Sequence, residues 1–134
     1  MPTSDRYAYL DTSAFVKLCW PEPETPVLQS YLSQWPLLVS AALVWTESLR
    51  AAQRQGPARL ADVERRLAVM PVLEVDRALF RQAGLLTQPT VRSLDAIHLA
   101  AALSLGQDLG VVITYDERMV AAASVLGLHV ATPR

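Results

Sequence analysis

The chain has 134 residues, 51% of them apolar, so one domain with a sizeable core is expected over residues 1–134 and two independent domains are not. Twelve Lys and Arg against thirteen Asp and Glu leave a net charge of −1, which excludes a global basic field for nucleic acid or anionic membrane and makes any polyanion contact local. The single Cys19 excludes an intramolecular disulfide and a cysteine-based zinc site, in keeping with a reducing, cytoplasmic setting.

Tyr7-Ala8-Tyr9-Leu10 is a short apolar run that reads as a buried strand, ended by Asp11. Thr12 and Ser13 open a short helix carrying Ala14, Phe15, Leu18 and Cys19, which stops before Pro21-Glu22-Pro23. A second helix is expected from about Glu24 to Gln34, with Val27, Leu28, Tyr31 and Leu32 at helical spacing, followed by a strand at Leu37-Leu38-Val39. Residues 25–46 carry no charge, but polar side chains interrupt them well short of the roughly 20 apolar residues that a membrane span needs.

Ser40 is placed as the cap of a helix running to about Arg54 and ended by Gly56-Pro57, and another helix covers about Ala58 to Ala68. Pro71 to Val75 reads as a strand near a sheet edge, because of its proline and glutamate. Asp76 caps a helix to about Leu85, residues 87–90 form a loop, and Ser93 caps a helix through Leu105. Val111-Val112-Ile113-Thr114 is the clearest strand, Asp116 opens a helix to Val125, Gly127 ends it, and Leu128-His129-Val130 forms a last short strand. This alternation, with unbroken apolar strands, implies an α/β fold with a parallel sheet covered on both faces. Ligands in such folds gather at the carboxyl ends of the strands.

Asp11 and Asp116 follow the two most convincing buried strands and so fall at that edge. Glu47 interrupts a stripe formed with Leu43 and Ala51, and Asp95 shares a helix face with Leu99, Ala102 and Leu103. Each acid alone has an ordinary explanation as a cap or ion-pair partner; the coincidence of four does not. Carboxylates converging on one pocket need a cation between them, and no arginine neighbours Asp11, Glu47 and Asp95 together. A hard divalent ion, Mg²⁺ or Mn²⁺, suits oxygen ligands and leaves room for a phosphate substrate.

Four blocks carry a resemblance: residues 9–18 (YLDTSAFVKL), 44–51 (VWTESLRA), 94–103 (LDAIHLAAAL) and 112–118 (VITYDER). In this order and spacing the chain resembles PIN-domain proteins, in particular the small VapC-type ribonuclease toxins of type II toxin–antitoxin pairs. The resemblance spans essentially the whole chain. It implies a three-layer α/β/α sandwich with a central parallel sheet, and metal-dependent hydrolysis of RNA that leaves a 5′-phosphate and a 3′-hydroxyl. It further implies that Asp11 and Asp95 are the principal Mg²⁺ ligands, that Glu47 and Asp116 complete the acidic cluster, and that Ser13 and Thr114 orient it. A homodimer and a small VapB-like antitoxin that occupies the site groove are implied as partners, with no membrane association.

Arg50, Arg54, Arg92 and Arg118 each follow a block by a short interval and are candidates for phosphate contact, against the plainer reading of solvated arginines. His98 and His129 read as structural, with His98 in a structural or supporting role beside the acids rather than as a metal ligand; Cys19, Tyr31, Trp35 and Trp45 read as core or interface packing, although the aromatics could stack on bases. Lys17, the only lysine, occupies a motif position without a catalytic role. A receiver-like domain would need a lysine after a late strand, where Thr114 to Asp116 has none. An Asp-x-Asp phosphatase would need an acid where Ser13 stands. A non-catalytic PIN-like module that binds RNA or protein is the remaining alternative, and retention of all four acids argues against it.

Overall fold

A computed structural model describes residues 5–134. The apolar runs become strands β1 (Tyr7–Leu10), β2 (Leu37–Ala41), β3 (Val72–Leu73), β4 (Leu109–Ile113) and β5 (Val130–Ala131). They form one all-parallel sheet in the order β3-β2-β1-β4-β5. β1 and β4 pair near the centre of the sheet, where Ala8, Tyr9, Leu10, Val111, Val112 and Ile113 are fully buried. Burial of a side chain such as Leu10 or Ile113 contributes about 1.5–3 kcal/mol.

Seven helices connect and cover the strands: α1 (Thr12–Cys19), α2 (Thr25–Leu32), α3 (Val44–Gln53), α4 (Pro57–Leu67), α5 (Arg77–Gly84), α6 (Ser93–Ser104) and α7 (Glu117–Val125). Strand alternation divides the core between two faces. Tyr9, Val39 and Val112 pack with Leu79 and Ala83 of α5 and with Ala96 and Ala100 of α6. Ala8, Leu10, Val111 and Ile113 pack with Ala14, Leu28 and Trp35 on the other face. The result is the expected α/β/α sandwich, with β1 and β4 ending side by side.

Two glycines are required by this arrangement. A Cβ on Gly110 would lie 2.1 Å from the buried Trp35 ring, so the close approach of that ring to β4 demands a residue without a side chain. Gly127, at φ +78°, turns the chain from α7 into β5.

Several boundaries differ from the sequence expectation. Ser40 is not a helix cap but a fully buried residue of β2, whose N–H donates to Pro71 O at 3.1 Å. Pairing with the edge strand prolongs β2 through Ala41, and α3 begins only at Val44. Ser93 is the first residue of α6, preceded by Arg92 at the cap position, and no side chain caps that helix. β3 keeps only two of its expected five residues. β5 lies later than expected, at Val130–Ala131, and a short 3₁₀ turn at Gly106–Asp108 precedes β4. The Asp76 cap stands as expected, accepting from Leu79 N at 2.9 Å.

Candidate active site

Asp11 leaves β1 in extended conformation and caps α1, accepting from Ala14 N at 3.1 Å. Two hydroxyls complete its surroundings: Ser13 donates to Oδ1 at 2.6 Å and Thr114 donates to Oδ2 at 2.5 Å. These hydroxyls also tie the two strand ends together, since Ser13 Oγ accepts from Tyr115 N at 2.9 Å and Thr114 Oγ1 from Asp116 N at 3.1 Å. The carboxylate is therefore fixed in position while its residue is only 4% exposed. Burial raises its pKa above the ordinary aspartate value even against the lowering effects of His98, Ser13, Thr114 and Ala14.

Glu47 projects from the first turn of α3, half-buried. The fully buried stripe of that helix is Val44, Ser48 and Ala52, one position round from the expected Leu43, Glu47, Ala51 stripe, which is only half-buried. Glu47 thus lies at the margin of the core, where its charge meets donors. Thr12 donates to Oε1 at 2.5 Å, and His98 Nε2 lies 2.8 Å from the same oxygen. Burial pushes this carboxyl up, but the bonds from His98 and Thr12, with the electrostatic pull of His98, outweigh it and hold the pKa below the ordinary glutamate value.

Asp95 stands in the first turn of α6. Burial raises its pKa, as does the charge of Asp116; His98 pulls it down, and Asp11 and Glu47 raise it further. Asp11, Glu47 and Asp116 therefore all lie within electrostatic reach of Asp95. Asp116 caps α7, accepting from Arg118 N at 2.9 Å, with the Arg118 guanidinium Nε at 3.7 Å. Among the described residues, no group of three or more His, Cys, Asp or Glu side chains forms a ready-made metal cage. A Mg²⁺ site need not be one, because that ion keeps several waters and takes only a few carboxylates. The donor chemistry fits a hard cation: oxygen ligands, mutual repulsion at Asp95, and a buried Asp11 carboxylate with hydrogen bonds but no adjacent basic side chain bonded to it.

Arg50, Arg54, Arg92 and Arg118 are all exposed. His98 is 2% exposed and supports Glu47, whereas His129 is exposed, with Nδ1 3.3 Å from Gly110 O. Trp35 is core and Tyr31 half-buried; Trp45, expected in packing, is 42% exposed on α3, two residues before Glu47. Cys19 packs beside Phe15 and Leu49, and its burial pushes the thiol up to about 12. Lys17 pairs with other acids, its Nζ 3.1 Å from Glu24, 3.5 Å from Glu22 and 4.6 Å from the centre of the Tyr115 ring. Thr12 and Tyr9, which the sequence pattern does not mark as site residues, join the site through His98 or Glu47. Their only local signal was a hydroxyl beside Asp11 and a polar tip in a buried strand.

The PIN domain family model matches residues 8–125. The chain belongs to the PIN-domain family. This PIN domain is 45% identical over 125 residues to Ribonuclease VapC46 of Mycobacterium tuberculosis, an alignment covering 93% of this chain and 96% of that protein. Its fold is similar to that of VapC20 from the same organism, a sarcin–ricin loop cleaving toxin, with TM-score 0.69 and 21% identity over 86% of this chain and 94% of the other. A toxin–antitoxin complex from Klebsiella pneumoniae contains a chain with the same fold, at TM-score 0.71 and 22% identity, covering 95% of this PIN domain and 98% of that chain.

Proposed function

We propose that this PIN domain is a metal-dependent endoribonuclease and the toxin of a type II toxin–antitoxin pair. The observation that carries the reading is the buried Asp11 carboxylate, held by three donors, beside an Asp95 that feels the charges of Asp11, Glu47 and Asp116. Its likeness to Ribonuclease VapC46 supports RNA as the substrate.

Asp11 and Asp95, with Asp116 and Glu47 directly or through water, would hold the Mg²⁺, for which Mn²⁺ is an alternative. When bound, such an ion supplies Lewis-acid stabilisation of charge on the phosphodiester and lowers the pKa of water. Ser13 and Thr114 keep both Asp11 oxygens in fixed directions, so little reorganisation is left to the reaction. The oxygen of water bonds to phosphorus, the bond from phosphorus to the 3′-oxygen breaks, and that oxygen takes up a proton, leaving a 5′-phosphate and a 3′-hydroxyl. Exposed Arg50, Arg92 and Arg118 would contact the RNA backbone around the acids. A cognate VapB-like antitoxin is the proposed partner, supported by the fold shared with the Klebsiella pneumoniae toxin–antitoxin complex, and a homodimer is the proposed assembly. No helix among the described residues is long and apolar enough to cross a membrane.

The test is cleavage of RNA by the purified protein with Mg²⁺ or Mn²⁺, set against Asp11→Asn. Asn still caps a helix, so the variant should fold, and activity should fall by at least about a hundredfold. Equal cleavage by both proteins would refute the assignment.

A further inference from the structure

Between the core and Glu47 runs a line of polar groups that the chemistry above does not use. Tyr9 is fully buried in β1 and His98 is 2% exposed on α6, their rings edge to face with centroids 5.8 Å apart. Tyr9 Oη lies 2.7 Å from His98 Nδ1, and His98 Nε2 lies 2.8 Å from Glu47 Oε1, the oxygen that also accepts from Thr12. Buried polar groups of this kind are expensive unless each has a partner, so the order of donors along the line is constrained.

Tyr9 is a fully buried phenol whose hydroxyl carries one proton to donate, and its nearest ring nitrogen is His98 Nδ1 at 2.7 Å. Donated into Nδ1, that proton places the single proton of a neutral imidazole on Nε2, which faces Glu47 Oε1 at 2.8 Å and Thr12 Oγ1 at 3.2 Å; in an imidazolium both nitrogens would donate and Tyr9 would accept. Two donors then converge on Oε1. Among the described residues no hydrogen bond engages Oε2.

We propose that Tyr9 and His98 are positioning residues for Glu47: the Tyr9 hydroxyl locks His98 in its Nε2–H tautomer, and that N–H, with Thr12, fixes the carboxylate with Oε2 free to serve the cation site. The metal part of this assignment rests on the nuclease reading; the tautomer part does not. The arrangement reaches from the middle of the sheet to α3, so the core itself sets the direction of a site carboxylate.

Imidazole ¹H–¹⁵N spectra test it without metal or RNA, and only two histidines need assignment. The wild-type His98 should show a protonated Nε2 and a hydrogen-bonded, unprotonated Nδ1. Tyr9→Phe should remove that Nδ1 bond while keeping the ring packing. A proton on Nδ1, protons on both nitrogens, or a Tyr9→Phe spectrum identical to wild type would overturn the relay. Mn²⁺ titration then reads its consequence: His98→Leu should bind the ion about tenfold to a hundredfold more weakly. His98→Gln, which restores a donor near the Nε2 position, should recover most of the loss. Equal recovery failure in both variants would make His98 mere packing and overturn the positioning role. Should His98→Leu not fold, His98→Gln and Tyr9→Phe decide the matter. If even the wild type binds no Mn²⁺, the nuclease reading falls, and the spectra still decide whether the relay exists.

Discussion

Helix α1 meets carboxylates at both ends, under opposite electrostatic conditions. Near its last turn, Lys17 stands between Glu22 and Glu24, and its hydrogen bond holds the Glu24 carboxyl below the ordinary glutamate value. At its other end, the N-cap Asp11 and the nearby Asp95 of α6 have no such ammonium, and burial raises both. The difference separates carboxylates that carry their cation within the chain from carboxylates that leave a place for one. It also explains the only lysine: it neutralises a structural cluster and lies over Tyr115 rather than serving the acidic edge.

The largest expected effect that sharpens this contrast comes from supplying the missing cation. Mn²⁺ at a hundred times its dissociation constant should stabilise the fold by about 2.7 kcal/mol, read as a rise in Tm, and Asp11→Asn should lose most of that gain. Glu22 and Glu24 should add nothing to it. Next in size, Lys17→Met strips the other cluster of its cation and should cost about 2 kcal/mol in urea unfolding, with Mn²⁺ affinity unchanged. A loss of Mn²⁺ binding in that variant would mean that the two ends of α1 are not independent.

Proton linkage gives a third handle. Asp11 and Asp95 hold protons more tightly folded than unfolded, so their contribution is fully present below the ordinary aspartate value and lost as pH rises through their raised values. Glu24 and Glu47 work in the opposite sense: their contribution is present above the ordinary glutamate value and lost as pH falls through their lowered values. Urea unfolding over acidic to neutral pH should therefore show a component that declines with rising pH in EDTA and disappears in saturating Mn²⁺. The smallest effect concerns Asp116, which both caps α7 and belongs to the acidic edge. Asp116→Ala should cost about 1 kcal/mol, whereas Asp116→Asn should keep the cap and weaken only Mn²⁺ binding.

Much of this was legible in the residues. Apolar runs at Tyr7–Leu10 and around Val111–Ile113 announced a buried parallel sheet, because strands covered on both faces have no polar side to show. Asp11 and Asp116 could be placed at its carboxyl edge because each immediately follows such a run. The α3 stripe was misjudged by one position, since Leu43, Glu47, Ala51 and Val44, Ser48, Ala52 are almost equally good helical faces and only packing against Phe15, Val63 and Leu67 chooses between them. Ser40 was misplaced for a similar reason: serine suits a cap locally, but pairing with β3 decided its fate.

Local pattern thus established the alternating elements, the faces that would be buried and the identity of the acids, because these depend on residues close along the chain. Which acid would be immobilised, which would be supported through a histidine and which cluster would hold the lysine depended on partners far apart. Thr114 reaches Asp11 across 103 positions, Tyr9 reaches His98 across 89, and His98 reaches Glu47 across 51. Such hydrogen bonds have no local signature. They exist only once strand register and helix packing have brought their donors and acceptors within 3 Å.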